Sequence, residues 1–445
     1  MKFDIRRRPA GFFGLCLLAA AAISLIVAAR THAQEIRDID RARGQTMLKV
    51  IKKDLQKYYY DPTFRGLDLD ECFLKAEQDI EQATSLGQVL GIIARAVLTL
   101  DDSHTRFVPP GRTAKFNYGW RVRAIGETPT VIAVKPGSDA EAKGLKPGDA
   151  VLSVDGSPLN RKNMPLFRYR YLLVRPAPGV GLVVQSPGGQ PRRLDVATKV
   201  DMGKRVVDLT QGEDIWDIMR RQENQDEKHR YIESPDKKVF LWNIPSFSGD
   251  VSVLKRIAGR LSGYDAAVLD LRGNPGGVVS SVCSFLGYFF DRDVTIAQPK
   301  GREPIKPMVA KTQGSKAFSG KLIVVVDSES GSGAEIVARI IQIEKRGTVV
   351  GDRTAGAVMG SRYHPRELGG ENIIPYGISV TEMDILMKDG ESLEGVGVIP
   401  DVLALPTGAD LAAQRDPVLT RAIGLAGALI TPEEAGKLFP YKWLD

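Results

Sequence analysis

Cysteine and histidine are both scarce in this sequence, and their scarcity excludes two kinds of structure. Three cysteines in 445 residues cannot form the disulfide framework of a small secreted domain. The sequence contains neither Cys-x-x-Cys nor His-Glu-x-x-His, which are spacings typical of zinc sites. We therefore expect a fold held together by hydrophobic packing and a site that needs no metal or other cofactor.

The sequence also lacks a strong excess of one charge. Lys and Arg number 61 against 54 Asp and Glu, and 43% of the residues are hydrophobic, which is the composition of a soluble globular chain. Five basic residues and one acidic residue fall in the first 33, so the remaining chain has a net charge of only +3. A charge this small gives no reason to expect nucleic acid as a partner.

The first 33 residues have the pattern of a secretory signal peptide. Three arginines at positions 6–8 precede the apolar stretch Leu15–Ala29, and Thr31–Ala33 resembles a cleavage site. The stretch is short for a membrane span; the alternative is an uncleaved anchor, which would be the chain's one contact with a membrane. The expected location is the periplasm or the extracellular space.

The hydrophobic pattern divides the remaining chain into five regions. Residues 34–112 have apolar positions at helical spacing, and residues 113–200 have short β-like runs between Gly and Pro turns. A charged connector follows at 201–238. Strand-like and helix-like segments alternate over 239–410, which indicates an α/β core of mixed βαβ type, and a C-terminal segment, 411–445, is predicted to be helical.

Two segments of the β-rich region resemble a PDZ domain of the bacterial, circularly permuted type. They are Pro136–Ala140 and Gly144–Asp149. Asp139 stands where the usual pattern has Pro, and Lys143 stands where it has Ala. PDZ domains bind extended peptides by adding a strand at a sheet edge, and a purely structural arm is the alternative.

The PDZ resemblance also implies candidates for peptide binding. A carboxylate-binding loop would fall near Gly119 and Trp120, with Arg121 beside it. Arg121 and Arg123 equally fit the pattern of ordinary surface charges.

A serine-rich loop, Ser328–Glu335, joins a predicted strand to a predicted helix. Ser332 lies where free helix amides favour an oxyanion, which suits a nucleophile. However, Ser332 and Glu335 also match a capping box, and the glycines beside Ser332 could open a dinucleotide-binding loop. Ile336 occupies the third glycine position of that fingerprint and argues against nucleotide binding. From this segment alone the helix cap is favoured.

A second loop, Asp270–Gly277, also follows a predicted strand and opens a helix. It fits a simple glycine-rich turn. It equally fits a backbone brought close to a ligand, with the amide of Gly276 or Gly277, together with that of Gly333, aimed at a developing oxyanion.

Taken together, these segments resemble the carboxy-terminal processing and tricorn-type serine peptidases over residues 45 to 420. The matching segments, in the family's order, are Leu100–Thr105, the PDZ-like region, Asp270–Gly277, Ser332–Glu335, Val350–Gly356 and Leu393–Asp401. The resemblance implies an α/β peptidase core with a ClpP/crotonase-like spiral, an inserted, mostly β PDZ domain and a helical N-terminal region.

One departure from the family concerns the catalytic base. Processing peptidases use a Ser–Lys dyad, but Ala357 stands at the lysine position in Thr354–Val358. Tricorn-type members carry a histidine directly after a serine, as in Ser103-His104, and a later glutamate that Glu394 matches. The resemblance therefore implies His104 as the base, oriented by Glu394 through Ser103 or a water molecule, unless the enzyme is inactive.

Other residues remain as alternatives for the same roles. His364 is a minor candidate for the base, and His229, in the charged connector, is expected to be exposed. Glu391 lies near the expected glutamate, and a surface ion pair would explain either. Ser328 and Ser330 are alternative nucleophiles farther from the expected helix start.

The sequence thus predicts an exported serine endopeptidase that acts on polypeptides, with recognition of a substrate peptide or its C-terminus by the PDZ domain. A histidine base with its ordinary pKa of about 6.5 would give a rate that rises through about pH 6 to 7. The alternatives are a catalytically inactive peptide-binding scaffold of the cell envelope and a carrier of small hydrophobic molecules, because vertebrate interphotoreceptor retinoid-binding protein resembles this core without being a peptidase.

Overall fold

The computed structural model describes residues 36–203, 228–369 and 373–443. The predicted signal peptide (1–33) and residues 204–227 of the predicted connector lie outside the described residues. Within these three ranges, no helix is both long and apolar enough to cross a membrane.

Three helices open the described chain: α1 (Asp38–Tyr58), α2 (Leu69–Glu81) and α3 (Leu86–Leu98). The side chains of Asp68 and Ser85 accept hydrogen bonds from the first turns of α2 and α3, which satisfies amides that a helix start leaves free. The apolar faces of the three helices pack into one buried cluster. The short strand β1 (Arg106–Val108) follows them.

Residues 114–202 form a separate antiparallel unit, called the β module below. Two short strands, β2 (Ala114–Asn117) and β9 (Lys199–Met202), pair at its base. The main sheet contains, in spatial order, β3 (Trp120–Ile125), β4 (Thr128–Val134), β5 (Ala150–Val154), β7 (Gly179–Gln185) and β8 (Arg192–Ala197). A two-residue strand, β6 (Ser157–Pro158), pairs with β5. The β module also contains two short helices, α4 (Asp139–Ala142) and α5 (Met164–Arg168). Helix α5 continues as a π-helical turn over Tyr169–Val174.

A six-stranded sheet forms the centre of the second half of the chain. Its strands, in spatial order, are β10 (Arg230–Glu233), β11 (Val239–Asn243), β12 (Ala266–Asp270), β15 (Lys321–Val326), β16 (Thr348–Gly351) and β19 (Val402–Leu403). All neighbouring strands are parallel except β10 and β11.

Helices cover both faces of this parallel sheet. The helices α6 (Val251–Ala258), α7 (Val279–Leu286) and α8 (Gly333–Ile343) pack on one face. The helix α10 (Pro417–Ala426) packs on the other, flanked by the short helices α9 (Gly408–Ala412) and α11 (Pro432–Ala435). Because both faces are covered, the central strands consist of almost uninterrupted apolar residues.

A second sheet links this core to the N-terminal helices. It contains β1, β18 (Ile374–Met387), β13 (Val294–Gly301) and β14 (Met308–Ala310), and β17 (Met359–Leu368) also pairs with β18. Buried side chains of β18, including Ile378 and Val380, belong to the same cluster as the N-terminal helices.

The loops that carry predicted site residues lie at one edge of the parallel sheet. The strands β12, β15 and β16 end at Asp270, Val326 and Gly351, and loops that follow parallel strands meet at the carboxyl edge of the sheet. The predicted α/β character of the core is confirmed by this arrangement. The ClpP/crotonase-like spiral and the identity of the β module as a PDZ domain stay predictions.

Candidate active site

Ser332 lies immediately before α8 and has a strained backbone, with φ 47° and ψ −113°. A positive φ at a residue other than glycine costs about 1–3 kcal/mol and persists only where neighbouring structure imposes it. Here the N–H of Ser332 donates to the carbonyl oxygen of Ala357 at 2.8 Å and to Glu335 Oε2 at 3.0 Å. The loop that carries Ala357 therefore holds this serine in place.

The glycine loop Asp270–Gly277 packs directly against Ser332. Gly276 has φ +101°, and a Cβ atom there would lie 2.7 Å from the Cβ of Ser332 and 2.5 Å from the nitrogen of Gly333. A side chain at this position would clash with these atoms, so glycine is what allows the backbone of the loop to lie this close to the start of α8. The three predicted oxyanion-hole residues, Gly276, Gly277 and Gly333, thus lie together.

The hydrogen bonds distinguish the two loop glycines. The N–H of Gly276 donates to the Oδ1 atom of Asn274 at 2.8 Å, and the Asn274 side chain donates in turn to the carbonyl oxygen of Ile244. The amide of Gly276 is therefore occupied by its own loop, although Gly276 itself packs against Gly333; a Cβ atom at Gly333 would lie 3.5 Å from the nitrogen of Gly277.

Glu335 is completely buried one turn into α8, and its carboxylate joins two loops. It accepts hydrogen bonds from Thr354 Oγ1 at 2.5 Å and from the N–H groups of Gly356 and Ala357 at 2.8 and 2.9 Å, besides the one from Ser332. Burial raises the pKa of Glu335 to about 7, although the four donors favour its ionised form. The sequence signals for this residue were the capping-box spacing and its place in the matching family segment Ser332–Glu335.

Ser103, His104 and Glu394 form a continuous relay. The Ser103 hydroxyl lies 2.6 Å from His104 Nδ1 and 2.8 Å from Glu394 Oε2, and the Ser103 N–H donates to Glu394 Oε1 at 2.7 Å. The N–H of Val358 also donates to Glu394 Oε2, at 2.9 Å. Glu394 is therefore largely buried among hydrogen-bond donors, and burial raises its pKa, whereas Glu391 is exposed.

His104 is almost completely buried, with 1% of its surface exposed. Burial lowers its pKa to about 4, an effect that Asp102 opposes and Arg106 reinforces, so the imidazole is neutral at pH 7. Asp102 also fixes the backbone, because its Oδ1 atom accepts from the N–H groups of His104 and Thr105 and from Thr381 Oγ1 on β18. Asp102 was not singled out by the sequence, although it lies in the matching segment.

The two halves of the site meet at adjacent residues. Ala357 accepts the hydrogen bond from Ser332, and Val358 donates to Glu394, which holds Ser103 and His104. The predicted nucleophile and the predicted relay thus belong to one hydrogen-bonded network, even though the family lysine is replaced by Ala357.

The alternative candidates have structural roles elsewhere. Ser330 Oγ donates to the carbonyl oxygen of Leu271, and Ser328 Oγ donates to that of Ala124 in the β module. His364 contacts Glu382 at 3.0 Å through Nε2, and its ring stacks on Tyr58, with 4.2 Å between centroids.

Two sequence expectations about exposure were wrong. His229 is only partly exposed, lies 5.8 Å from the ring of Trp242 and has a pKa lowered to about 4 by burial. Arg121 is 3% exposed and forms a salt bridge with Glu329 at 3.0 Å. Arg121 is covered by a loop 208 residues further along the chain, and His229 lies beside Trp242 of the nearby strand β11; local composition reveals neither contact.

The arginines of β3 bind the loop that precedes Ser332. Arg121 shares Glu329 with Arg168, whose Nη1 atom lies 3.0 Å from Glu329 Oε1. Arg123 pairs with Asp327 at 2.5 Å.

Among the predicted peptide-binding residues, Gly119 and Trp120 line an open pocket together with Arg121. In the part of the chain that the structure describes, no group of three or more His, Cys, Asp or Glu side chains could hold a metal ion.

Comparisons with known proteins show which families and relatives the chain resembles. Residues 239–404 match the sequence model of Peptidase family S41. The chain is 26% identical over 405 residues to tricorn protease homolog 2 of Streptomyces coelicolor, a match that covers 84% of this chain and 31% of that protein. It is 25% identical over 368 residues to the chloroplastic C-terminal processing peptidase of Tetradesmus obliquus, covering 78% of this chain and 74% of that one.

The fold is shared with a solved structure. Mature CPAF complexed with lactacystin superimposes with a TM-score of 0.62 at 17% identity, over 84% of this chain and 96% of that chain. The sequence matches relate this chain to serine-type peptidases, and the structural match shows a shared fold. Because residues 239–404 match peptidase family S41, the family resemblance found in the motifs is confirmed.

Proposed function

We propose that this protein is an exported serine endopeptidase in which Ser332 is the nucleophile and His104 is the general base. The observation that carries the proposal is the position of the Ser103 hydroxyl between His104 Nδ1 and Glu394 Oε2. A relay of this kind gives an imidazole the orientation and the electrostatic support that a base needs.

In the acylation step, Ser332 Oγ attacks the scissile carbonyl carbon while its proton passes to Nε2 of His104. The imidazolium donates from Nδ1 to Ser103, whose hydroxyl donates to Glu394 and so shares the new positive charge with a carboxylate. His104 then returns the proton to the leaving amine, and a water molecule hydrolyses the acyl-enzyme with the same base.

The oxyanion of the tetrahedral intermediate is proposed to be bound by backbone amides. The N–H groups of Gly277 and Gly333 are favoured, because the N–H of Gly276 is used by Asn274. Gly333 is the first residue of α8, where the helix dipole and the free amides add to the stabilisation of a negative charge.

Polypeptide substrates are supported by apolar side chains exposed beside the proposed catalytic groups. Val278, directly after Gly277, is 51% exposed, and Val396, two residues after Glu394, is 56% exposed. Exposed valines suit the side chains of an extended polypeptide. The β module is proposed as the PDZ domain that binds the peptide by strand addition, and export is proposed on the signal-peptide pattern of residues 1–33.

A specific observation favours one competing function. Ala357 provides no side-chain base, and a serine hydroxyl without a base is a poor nucleophile. If His104 does not serve Ser332, the protein is an inactive peptide-binding scaffold.

Cleavage of casein and covalent labelling by a fluorophosphonate separate the two functions. The parent protein should cleave casein and should be labelled at Ser332, as located by mass spectrometry. Ser332→Ala and His104→Gln should each lower kcat/KM by about 10³-fold or more, because members of a catalytic set act as a unit. His364→Gln, which changes another buried imidazole, should retain activity within about twofold.

Two results would overturn the proposal. If the parent protein shows neither labelling nor cleavage at any pH at which it stays folded, the peptide-binding scaffold is the function that remains. Cleavage that survives His104→Gln would remove this histidine from the mechanism.

A further inference from the structure

The β module carries an open pocket beside the edge of its sheet. Aromatic side chains line it from two elements, β3 with Trp120 and the α5–π-helical segment with Phe167 and Tyr171. Arg121 and Arg168 lie at the same pocket. The lining therefore combines flat apolar surfaces with positive charge.

A segment from the far end of the described chain reaches this pocket. Trp443 is one of the lining residues, and its ring contacts that of Tyr441 edge to face, with 5.0 Å between centroids. The guanidinium of Arg121 lies 5.9 Å from the centroid of the Tyr441 ring, within the range of a cation–π interaction. More than 300 residues separate Arg121 from Tyr441 in the sequence.

The segment is anchored on the peptidase core at its other end. The Arg230 Nη1 atom donates to the carbonyl oxygen of Pro440 at 3.0 Å, and the Arg230 guanidinium lies 5.5 Å from the ring centroid of Phe439. Leu438 and Phe439 pack against the apolar cluster beneath α10. The segment 439–443 thus runs from the core to the β module.

This segment is short and partly exposed. Residues 440–442 have no regular secondary structure, Trp443 lies in an isolated β-bridge, and Tyr441 is 36% exposed. Short segments with exposed side chains and little regular hydrogen bonding open at a low free-energy cost. The pocket end of this segment can therefore be released without unfolding the core.

We propose that segment 439–443 is an intramolecular ligand of the β-module pocket, and that a peptide with aromatic side chains must displace it to bind. This inference shares the proposed peptide-binding role of the β module but does not depend on catalysis. The apparent affinity for an external peptide equals the intrinsic affinity multiplied by the fraction of pocket that is open. A segment that occupies the pocket about nine-tenths of the time weakens external binding about tenfold.

The test measures binding of a labelled peptide that copies residues 437–443. Fluorescence anisotropy is recorded on the full chain with Ser332→Ala, so that the peptide cannot be cleaved. The variant that also carries Tyr441→Ala and Trp443→Ala should bind the peptide about tenfold more tightly than the Ser332→Ala protein. Leu429→Ala, at a fully exposed side chain, is the matched control and should leave the affinity unchanged.

A second measurement follows displacement directly. Excess unlabelled peptide should speed trypsin cleavage after Lys442 in the Ser332→Ala protein, whereas a peptide with both aromatic residues replaced by alanine should not. Equal affinities with and without the aromatic residues of the segment would overturn the inference, as would absence of binding to the aromatic-free variant. Casein cleavage by the parent is measured separately, so that failure of the proposed peptidase activity is distinguishable from failure of this inference.

Discussion

The Ser103 hydroxyl has one proton to donate and two acceptors within reach. If the proton is directed to the Glu394 carboxylate, the same oxygen can only accept from His104, so Nδ1 must carry a hydrogen. The lone pair of the imidazole is then on Nε2, the atom that a general base presents to a serine hydroxyl. The identity of residue 103 as serine thus selects the tautomer of residue 104.

The depth of His104 changes the expected pH dependence. A neutral imidazole is the competent form, and burial lowers the pKa of His104 from 6.5 to about 4. Activity should therefore be lost as pH falls through this lower pKa, and kcat/KM should stay level from about pH 7.5 to about pH 5.5 before it declines. The rise through pH 6 to 7 that an unperturbed histidine implies is not expected.

The measurement is a profile of kcat/KM against pH, with circular dichroism at each point to verify folding. This control matters because the unfolded imidazole takes up its proton near pH 6.5 and the folded one near pH 4, so stability also decreases as pH falls through this interval. A midpoint between about pH 6 and 7 in fully folded protein would contradict the lowered pKa of His104.

At the scale of elements, the two glycine-rich loops fit together with almost no free space. Gly276→Ala would place a methyl group 2.5 Å from the nitrogen of Gly333 at a φ of +101°. We expect a loss of about 1–3 kcal/mol in the free energy of unfolding, because backbone atoms must move and the residue is strained. The kcat/KM should fall by more than the loss of folded protein explains, because Ser332 lies directly before α8.

Urea unfolding and kcat/KM of the folded fraction test this prediction together. Gly424→Ala is the matched control, since Gly424 lies within α10 and a Cβ atom there meets nothing within 4 Å. It should be neutral or stabilise the fold by up to about 1 kcal/mol. Equal effects of the two substitutions would contradict the close packing of the loops.

The sequence was informative about these elements wherever the signal was local. The turn chemistry of Asp270–Gly277 and of Ser328–Glu335 is encoded within each loop, so both strand-to-helix junctions could be predicted. The partner of a side chain was not predictable in the same way. Glu335 matches a helix cap in sequence, yet three of its four donors come from residues 354–357, whose approach depends on the whole sheet.

Family motifs extended the prediction beyond local signals. They indicated Ser103, His104 and Glu394 as a set, and the structure brings these residues together. The exposure of Arg121 and His229 was misjudged, because a charged or polar residue is expected at the surface until its packing partners are known. The role of Arg168 follows from a tertiary contact, whereas Asp102 combines local bonds from the amides of His104 and Thr105 with a distant one from Thr381.

At the scale of the whole molecule, the β module and the peptidase core share buried ion pairs. Arg121 and Glu329 have side chains only 2% and 10% exposed, and breaking a buried pair is costly because one charge is left unpartnered. Arg168 remains on Glu329 when Arg121 is removed, which moderates the cost. We expect a coupling energy of about 1.5–3 kcal/mol between Arg121 and Glu329.

A double-mutant cycle with Arg121→Ala and Glu329→Ala, measured by urea unfolding, gives this coupling energy. The pair Arg193–Asp195, with side chains 75% and 74% exposed, is the control and should give less than about 1 kcal/mol. If the coupling energy between Arg121 and Glu329 is no larger than that of the exposed pair, this contact does not stabilise the attachment of the β module to the core.

The separation between Ser103 and Glu394, 291 residues along the chain, has a consequence for biosynthesis. A nascent chain contains the His104 segment and the Ser332 turn long before Glu394 has been synthesised. Closing so long a loop comes late in folding, since its entropy must be offset by contacts that only the complete core provides. The relay therefore cannot form on a growing or unfolded chain, and the proposed catalytic set stays incomplete until translation has passed residue 394 and folding is complete.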